Sequence, residues 1–81
     1  MNKSELRQQV IDLAASVVRK RQMVYDLESK YGSNITVDVR PIDMVKYFHW
    51  DVKALKAEYK KLGEEYDSLS DYWDILWAIY K

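Results

Sequence analysis

The stretch LKAEYKKLGEEYDSLSDYWDILWAIY, from Leu55 to Tyr80, decides the fold because its large apolar residues recur at alternating steps of four and three. The pattern starts before this stretch and includes Val45, Phe48, Val52, Leu55, Tyr59, Leu62, Tyr66, Leu69, Trp73, Leu76 and Tyr80. Such spacing places one apolar stripe along a helix, at the a and d positions of a heptad. The sequence therefore predicts a long helix over about residues 42–80.

The first third of the chain carries another stripe with the same spacing. Its members are Leu6, Val10, Leu13, Val17, Lys20, Val24, Leu27 and Tyr31. Lys20 is the one charged member, and it stands at a d position where leucine is usual. We predict a first helix over about residues 3–31 that packs against the second in a coiled-coil-like manner.

Residues 32–41 form the predicted connection between these helices. Gly32 suits the left-handed position after a helix end, and Pro41 suits the first turn of the next helix. The apolar residues alternate over 35–39, as they would in a short extended segment. Because the connection is short, we expect an all-α antiparallel two-helix hairpin. In that register the second helix outruns the first by roughly three turns, so its end would overhang.

Local signals within the second helix disagree over residues 63–70. Gly63 follows two lysines, which resembles a helix end, and the segment from Ser68 to Asp71 resembles an N-terminal cap. The apolar spacing nevertheless continues unchanged through this region. We predict one continuous helix, bent near this region, with a break as the alternative.

Helix one also has a second apolar seam, away from its main stripe. Ile11, Val18 and Tyr25 repeat every seven residues. An isolated hairpin would leave them in water, and contiguous exposed apolar patches usually mark contact surfaces. We expect a homodimer that forms a four-helix bundle. The alternative is a three-helix monomer in which residues 70–80 fold back over the seam.

Composition restricts the class of protein. The 81 residues allow one domain, 1–81, and the 13 basic and 13 acidic side chains give no net charge. No overall electric field therefore attracts nucleic acid or a membrane. The chain has no cysteine, and its first residues, MNKSELRQQV, lack the pattern of a signal peptide. We expect a cytoplasmic protein.

The sequence offers little for catalysis or metal binding. His49 is the only histidine, and without cysteine it has no companion for a transition-metal site. No glycine-rich phosphate loop or nucleophile motif is present. We expect no enzymatic activity, no cofactor and no metal.

One enzyme family provides an alternative. Leu6-Arg7, Arg21 and Lys30 resemble the start of the helical chorismate mutases, whose long first helix carries a Leu-Arg start and an inward arginine. The resemblance covers about thirty residues and implies that Arg7 and Arg21 would bind a small anionic substrate. The spacing of arginine and lysine departs from that family, and no glutamine follows Gln22.

Three surfaces are candidates for binding. The first is the aromatic tail, consisting of Tyr72, Trp73, Ile75, Trp77, Ile79 and Tyr80. Tyrosine and tryptophan dominate binding hot spots because they bury large areas and keep a polar tip. The second is Tyr47 with Trp50. The third is a basic patch of Arg19, Arg21, Lys46, Lys53 and Lys60, which could contact phosphates.

The tail is surrounded by acidic residues, which favour a basic partner surface. They are Glu64, Glu65, Asp67, Asp71 and Asp74. The expected function is that of a non-enzymatic protein-interaction module, of inhibitor or adaptor type. The first alternative is a structural, self-assembling helical bundle. A nucleic-acid-binding protein and a chorismate-mutase-like enzyme are ranked below it.

Overall fold

Two long helices make up most of the chain. The computed structural model describes residues 2–32 and 34–80. Helix α1 spans Lys3–Lys30 and helix α2 spans Val52–Tyr80, with a short 3₁₀ helix at Val45–His49 between them. No strand occurs within the described residues, including the segment 35–39. The all-α prediction is confirmed.

Helix α1 begins and ends where its sequence has capping residues. The Asn2 side-chain oxygen accepts a hydrogen bond from the Glu5 backbone N–H at 2.8 Å, which satisfies a free donor of the first turn. At the other end, Gly32 adopts φ +72°, the left-handed conformation that commonly terminates a helix. The predicted bounds of 3–31 and the predicted role of Gly32 agree with these features.

Helix α2 begins later than predicted. The Asp51 carboxylate accepts a hydrogen bond from the Ala54 N–H at 2.8 Å and caps the helix there, instead of at Pro41. The predicted helix over 42–51 was therefore wrong, and Phe48, assigned to the apolar stripe, is 56% exposed. From Val52 onward α2 is one continuous helix, so the alternative of a break near 63–70 was also wrong.

The two helices run parallel, which corrects the predicted antiparallel hairpin. Three contacts show their direction: Arg21 with Glu65, Glu28 with Tyr72, and Tyr31 with Tyr80. The residue numbers rise together along both helices, whereas in a hairpin one would fall as the other rises. No tail overhangs, because the ring of Tyr80 stacks on that of Tyr31 with centroids 4.6 Å apart.

The connection makes the parallel arrangement possible by returning along the helix pair. We call residues 34–51 the strap. Thr36 contacts Glu28 near the end of α1, whereas the Phe48 ring lies 4.7 Å from the Arg7 guanidinium near its start. The connecting segment can reach about 70 Å when extended. A helix of 28 residues is only about 42 Å long, so the return is easily spanned.

The core lies between the helices and under the strap. Its buried members are Leu6, Val10, Ala14, Val17, Val24 and Leu27 of α1, Tyr47 of the strap, and Leu55, Leu62, Leu69 and Leu76 of α2. Partly buried strap residues pack against them: Val37, Ile42, Met44 and Trp50. The second seam of α1 at Ile11, Val18 and Tyr25 is also partly buried. A single chain therefore provides much of the cover for which we predicted a dimer or a third helix.

The side of the helix pair away from the strap is open, and we call it the open face. Here Met23, Val52, Tyr59 and Trp77 are between 39% and 44% exposed. Val52 and Tyr59 continue the a positions of α2, yet the leucines at its d positions are buried. Because the strap covers only one side of the helix pair, the two sides of the apolar stripe of α2 differ in their exposure to solvent.

Spin labels would test the parallel direction. With cysteines at the exposed positions Ser29 and Ala78, we expect a short distance, because both lie at the same end of the pair. Ser29 and Ala57 should be separated along the helix axis by about 30 Å. Double electron–electron resonance on labelled protein, diluted with unlabelled protein, measures both distances. An antiparallel hairpin would instead make the first distance the longer one.

Candidate functional site

A cleft of about 250 Å³ opens on the open face near the ends of both helices. Its lining consists of Met23, Asp26, Leu27, Lys30, Trp73 and Trp77. Trp73 and Trp77 are four residues apart, which places both indoles on one side of α2. Their rings stack with centroids 5.3 Å apart and planes only 8° from parallel. They form one continuous aromatic wall.

The α1 side of the cleft supplies the base and a charged rim. Leu27 is buried, and Met23 is partly exposed beside it. Asp26 and Lys30, one turn apart, give the rim one charge of each sign. The cleft is therefore apolar inside and polar at its edge, as binding pockets for anchor side chains usually are.

The half of α2 that carries Trp73 and Trp77 is strongly acidic, although none of its acidic residues lines the cleft. Between Leu62 and Tyr80 this helix contains five acidic residues and no basic one. Glu65 is paired with Arg21 at 2.6 Å, while Glu64, Asp67, Asp71 and Asp74 are exposed. A positively charged partner would approach this half of α2 favourably.

The aromatic tail predicted as one surface is divided among four places. Trp73 and Trp77 form the cleft wall, whereas the Tyr72 hydroxyl turns toward the strap and donates to Glu28 at 3.0 Å. Tyr80 stacks on Tyr31 at the end of the pair. Two further members, Ile75 and Ile79, are 56% and 67% exposed and do not line the cleft.

The second predicted surface consisted of Tyr47 and Trp50, but the Tyr47 side chain is not exposed. This side chain is fully buried, and its ring meets that of Trp50 edge to face at 5.0 Å. Its hydroxyl donates to the Glu58 carboxylate at 2.6 Å. Burial, followed by this hydrogen bond, raises the pKa of Tyr47 well above its usual value. Tyr47 therefore holds the strap to α2 and is not exposed for a partner.

The predicted basic patch does not assemble. The hydrogen bond to Glu65 raises the pKa of Arg21 and engages that side chain. Lys46 lies over the rings of Tyr47 and Trp50, at 5.3 and 5.4 Å. Since the helices are parallel, Lys53 lies about 22 Å along the axis from Arg19. The antiparallel register that brought these residues together was wrong.

The residues that resemble the helical chorismate mutases do not converge either. The Arg7 guanidinium packs on Phe48, and its Nε is buried without a hydrogen-bond partner among the described residues. Arg21 lies about 21 Å further along α1. His49 is exposed at the end of the 3₁₀ helix. Within residues 2–32 and 34–80, no cluster of histidine and carboxylate side chains could hold a metal ion.

Glu28 is a structural residue that the sequence analysis missed. It is fully buried and accepts hydrogen bonds from the Thr36 N–H at 3.2 Å, the Thr36 hydroxyl at 2.9 Å and the Tyr72 hydroxyl. The sequence signal for it was the seven-residue spacing of Arg7, Ala14, Arg21 and Glu28, which places these residues on one face of the helix. Glu28 joins α1, the strap and α2, and so fixes the end of the pair that carries the cleft.

Comparison with protein-family models, with curated proteins and with solved structures finds no match to this chain. None of the helices in the described part of the chain combines the length and the apolar character needed to cross a membrane.

Proposed function

We propose that this chain is a small, non-enzymatic protein-interaction module of inhibitor or adaptor type, acting in the cytoplasm. The observation that carries the proposal is the apolar cleft walled by the stacked rings of Trp73 and Trp77. Because the strap covers the opposite side of the helix pair, the open face is where these large aromatic surfaces meet solvent. Trp77 is 39% exposed there.

The cleft suits an apolar anchor side chain on a helical partner. Complete burial of one large apolar side chain is worth about 1.5–3 kcal/mol, and tryptophan is enriched among residues that dominate binding energy. Two parallel helices bound a groove that can receive an amphipathic helix. The exposed acidic residues of α2 favour a helix with basic side chains beside its apolar stripe.

The test uses a matched pair of variants in the tail. Trp77→Ala removes part of the cleft wall, whereas Ile79→Ala removes an exposed side chain outside the cleft. We expect Trp77→Ala to weaken binding of a partner captured by the tagged wild-type chain by at least about tenfold. Ile79→Ala should bind like the wild type, and both variants should keep wild-type circular dichroism.

Two results would contradict the proposal. Equal binding by both variants would show that the cleft is not the contact site. Loss of helical structure in Trp77→Ala would show that the tryptophans serve the chain's own core.

A second candidate function is that of a structural, self-assembling bundle. It is favoured by the apolar side chains that one chain leaves exposed, Val52 and Tyr59 on the open face and Ile75 and Ile79 near the end of α2. Two copies would form a homodimer with four helices. In either function we infer coiled-coil-like packing within the chain, because Leu55, Leu62, Leu69 and Leu76 are buried at seven-residue steps.

A further inference from the structure

Helix α2 carries a stripe of charges whose signs reverse at its middle. The stripe consists of Lys53, Lys56 and Lys60, followed by Asp67, Asp71 and Asp74. Each lysine has an aspartate at an equal distance on the other side of the bond between Gly63 and Glu64. At 3.6 residues per turn, the six side chains fall within an arc of about 60°. They form one narrow line along the helix, which we call the charge stripe.

The members of the charge stripe have no partners among residues 2–32 and 34–80. All six are exposed. The ion pairs found among the described residues are Arg21 with Glu65 and Arg40 with Asp38, and neither includes a member of the stripe. No hydrogen bond or other polar contact of the described residues engages them. The stripe therefore presents uncompensated charge of both signs to its surroundings.

This arrangement works against an isolated α2 in two ways. Like charges three and four residues apart on a helix repel one another, and both halves of the stripe have this spacing. The helix dipole favours acidic residues at the N-terminus and basic residues at the C-terminus. The Asp51 carboxylate caps α2, but the stripe itself has the opposite polarity, with its lysines toward the N-terminus and its aspartates toward the C-terminus. A binding partner with the complementary pattern would relieve both costs.

We infer that this partner is a second copy of the chain, with the two α2 helices packed antiparallel along the charge stripe. A two-fold axis near the Gly63–Glu64 bond would place Lys53 opposite Asp74, Lys56 opposite Asp71 and Lys60 opposite Asp67. Symmetry repeats each pair, so the twelve charges of the two stripes are matched, while Glu64, exposed about 20° outside the arc, lies beside its own copy near the axis. The antiparallel order also opposes the two helix dipoles favourably.

The chemistry distinguishes a second copy from other occupants of this surface. An acidic protein or a nucleic acid would meet the lysines favourably but would be repelled by the aspartates. A parallel copy would set lysine against lysine and aspartate against aspartate. This inference rests on the self-association proposed above and specifies its face and orientation.

Two charge-reversal variants test the inference. One carries Lys53→Asp with Lys60→Asp, and the other carries Asp67→Lys with Asp74→Lys. In each homodimer, four of the six cross-pairs would become like-charged, and we expect the dimer dissociation constant to rise at least about tenfold at low ionic strength. A mixture of the two variants should form a heterodimer, in which every cross-pair is again matched. Sedimentation equilibrium and native mass spectrometry measure both states.

Controls separate the stripe from general charge effects. Lys3→Asp with Lys61→Asp changes the net charge equally at exposed positions outside the arc and should dimerise like the wild type. All four reversals in one chain restore opposite charges in every cross-pair, while Lys56 and Asp71 keep their signs, so this variant should dimerise by itself. Circular dichroism of each variant shows that the helices are retained.

The outcomes separate this inference from the proposals above. A wild-type dimer that tolerates both reversals would overturn the charge stripe as the interface, while self-association would stand. Reversed variants that do not combine when mixed would also overturn it. A wild-type chain that remains monomeric at high concentration would refute self-association as well. The Trp77→Ala binding test does not depend on any of these results.

Discussion

Tyr47→Ala is expected to cost about 4 kcal/mol of unfolding free energy, the largest effect of any single change considered for this chain. The side chain is fully buried, so its loss leaves a cavity the size of an aromatic ring. Its hydroxyl is also the donor to Glu58. Small domains have a total stability of about 5–15 kcal/mol, so this change would leave the protein close to unfolding.

The strap should be the first part of the chain to loosen in the Tyr47→Ala variant. We expect Tyr47→Ala to increase proteolytic cleavage between residues 34 and 46, because Tyr47 is the fully buried side chain that holds this segment to the helices. Urea denaturation measures the loss of stability. Phe48→Ala is the matched control, since its ring is 56% exposed, and it should cost less than about 1 kcal/mol. Equal costs for the two neighbours would contradict the assignment of Tyr47 to the core.

Tyr47→Phe separates the ring from its hydroxyl and predicts a pH dependence. The raised pKa means that the folded state favours the neutral phenol. The stability from this source is complete below the ordinary tyrosine pKa of about 10. It is lost as the pH rises above that value toward the raised pKa of the folded protein. Tyr47→Phe should therefore lose less stability than the wild type over the same alkaline range.

Glu28→Ala is expected to destabilise the protein by about 3 kcal/mol. The change removes the buried acceptor of the Thr36 N–H, the Thr36 hydroxyl and the Tyr72 hydroxyl. The Tyr72 hydroxyl is partly buried and loses its partner at a cost, whereas the exposed Thr36 can bind water instead. Glu28→Gln keeps an acceptor oxygen and should cost less. Chemical denaturation measures both, and hydrogen exchange at Thr36 should accelerate.

The control for Glu28 lies two residues away. Asp26 is also acidic but exposed, and among the described residues its carboxylate accepts a hydrogen bond from Gln22 alone, so Asp26→Ala should change stability by less than about 0.5 kcal/mol. A cost for Glu28→Ala as small as that of Asp26→Ala would show that the three hydrogen bonds contribute no net stability.

The sequence predicts the two helices well, and their stripes more reliably than their ends. Helix α1 has both an apolar stripe and capping signals, at Asn2 and Gly32, and its predicted bounds agree with the structure. For α2 the spacing continued by chance through Val45 and Phe48, which are 67% and 56% exposed. The actual cap is Asp51, and a single aspartate is a weaker signal than a long periodic pattern.

The misplaced start of α2 explains the other errors. A connection limited to residues 32–41 forces an antiparallel hairpin, whereas one that extends to Asp51 can return along the pair. The relative direction of the two helices in turn determines which of their side chains are in contact. The predicted overhang and the predicted basic patch both followed from the wrong direction.

Only part of the candidate site was predicted, because the direction of the two helices was wrong. The tail composition alone identified Trp73 and Trp77 as important, because two tryptophans one turn apart must share a helix face. The base of the cleft, with Met23 and Leu27, comes from α1 and could be placed only once the register was known. The composition of the tail thus identified the α2 residues of the cleft, whereas the α1 residues could be identified only from the direction and register of the helices.

The parallel course of the helices also governs how this chain can fold. The contacts of Arg21 with Glu65 and of Glu28 with Tyr72 each join residues 44 positions apart. A hairpin can close progressively from its turn, but parallel helices must first bring distant segments together, at an entropic cost. Folding rates fall as contacts become less local. This chain has the secondary structure of a fast-folding bundle and the contact separations of a slower class.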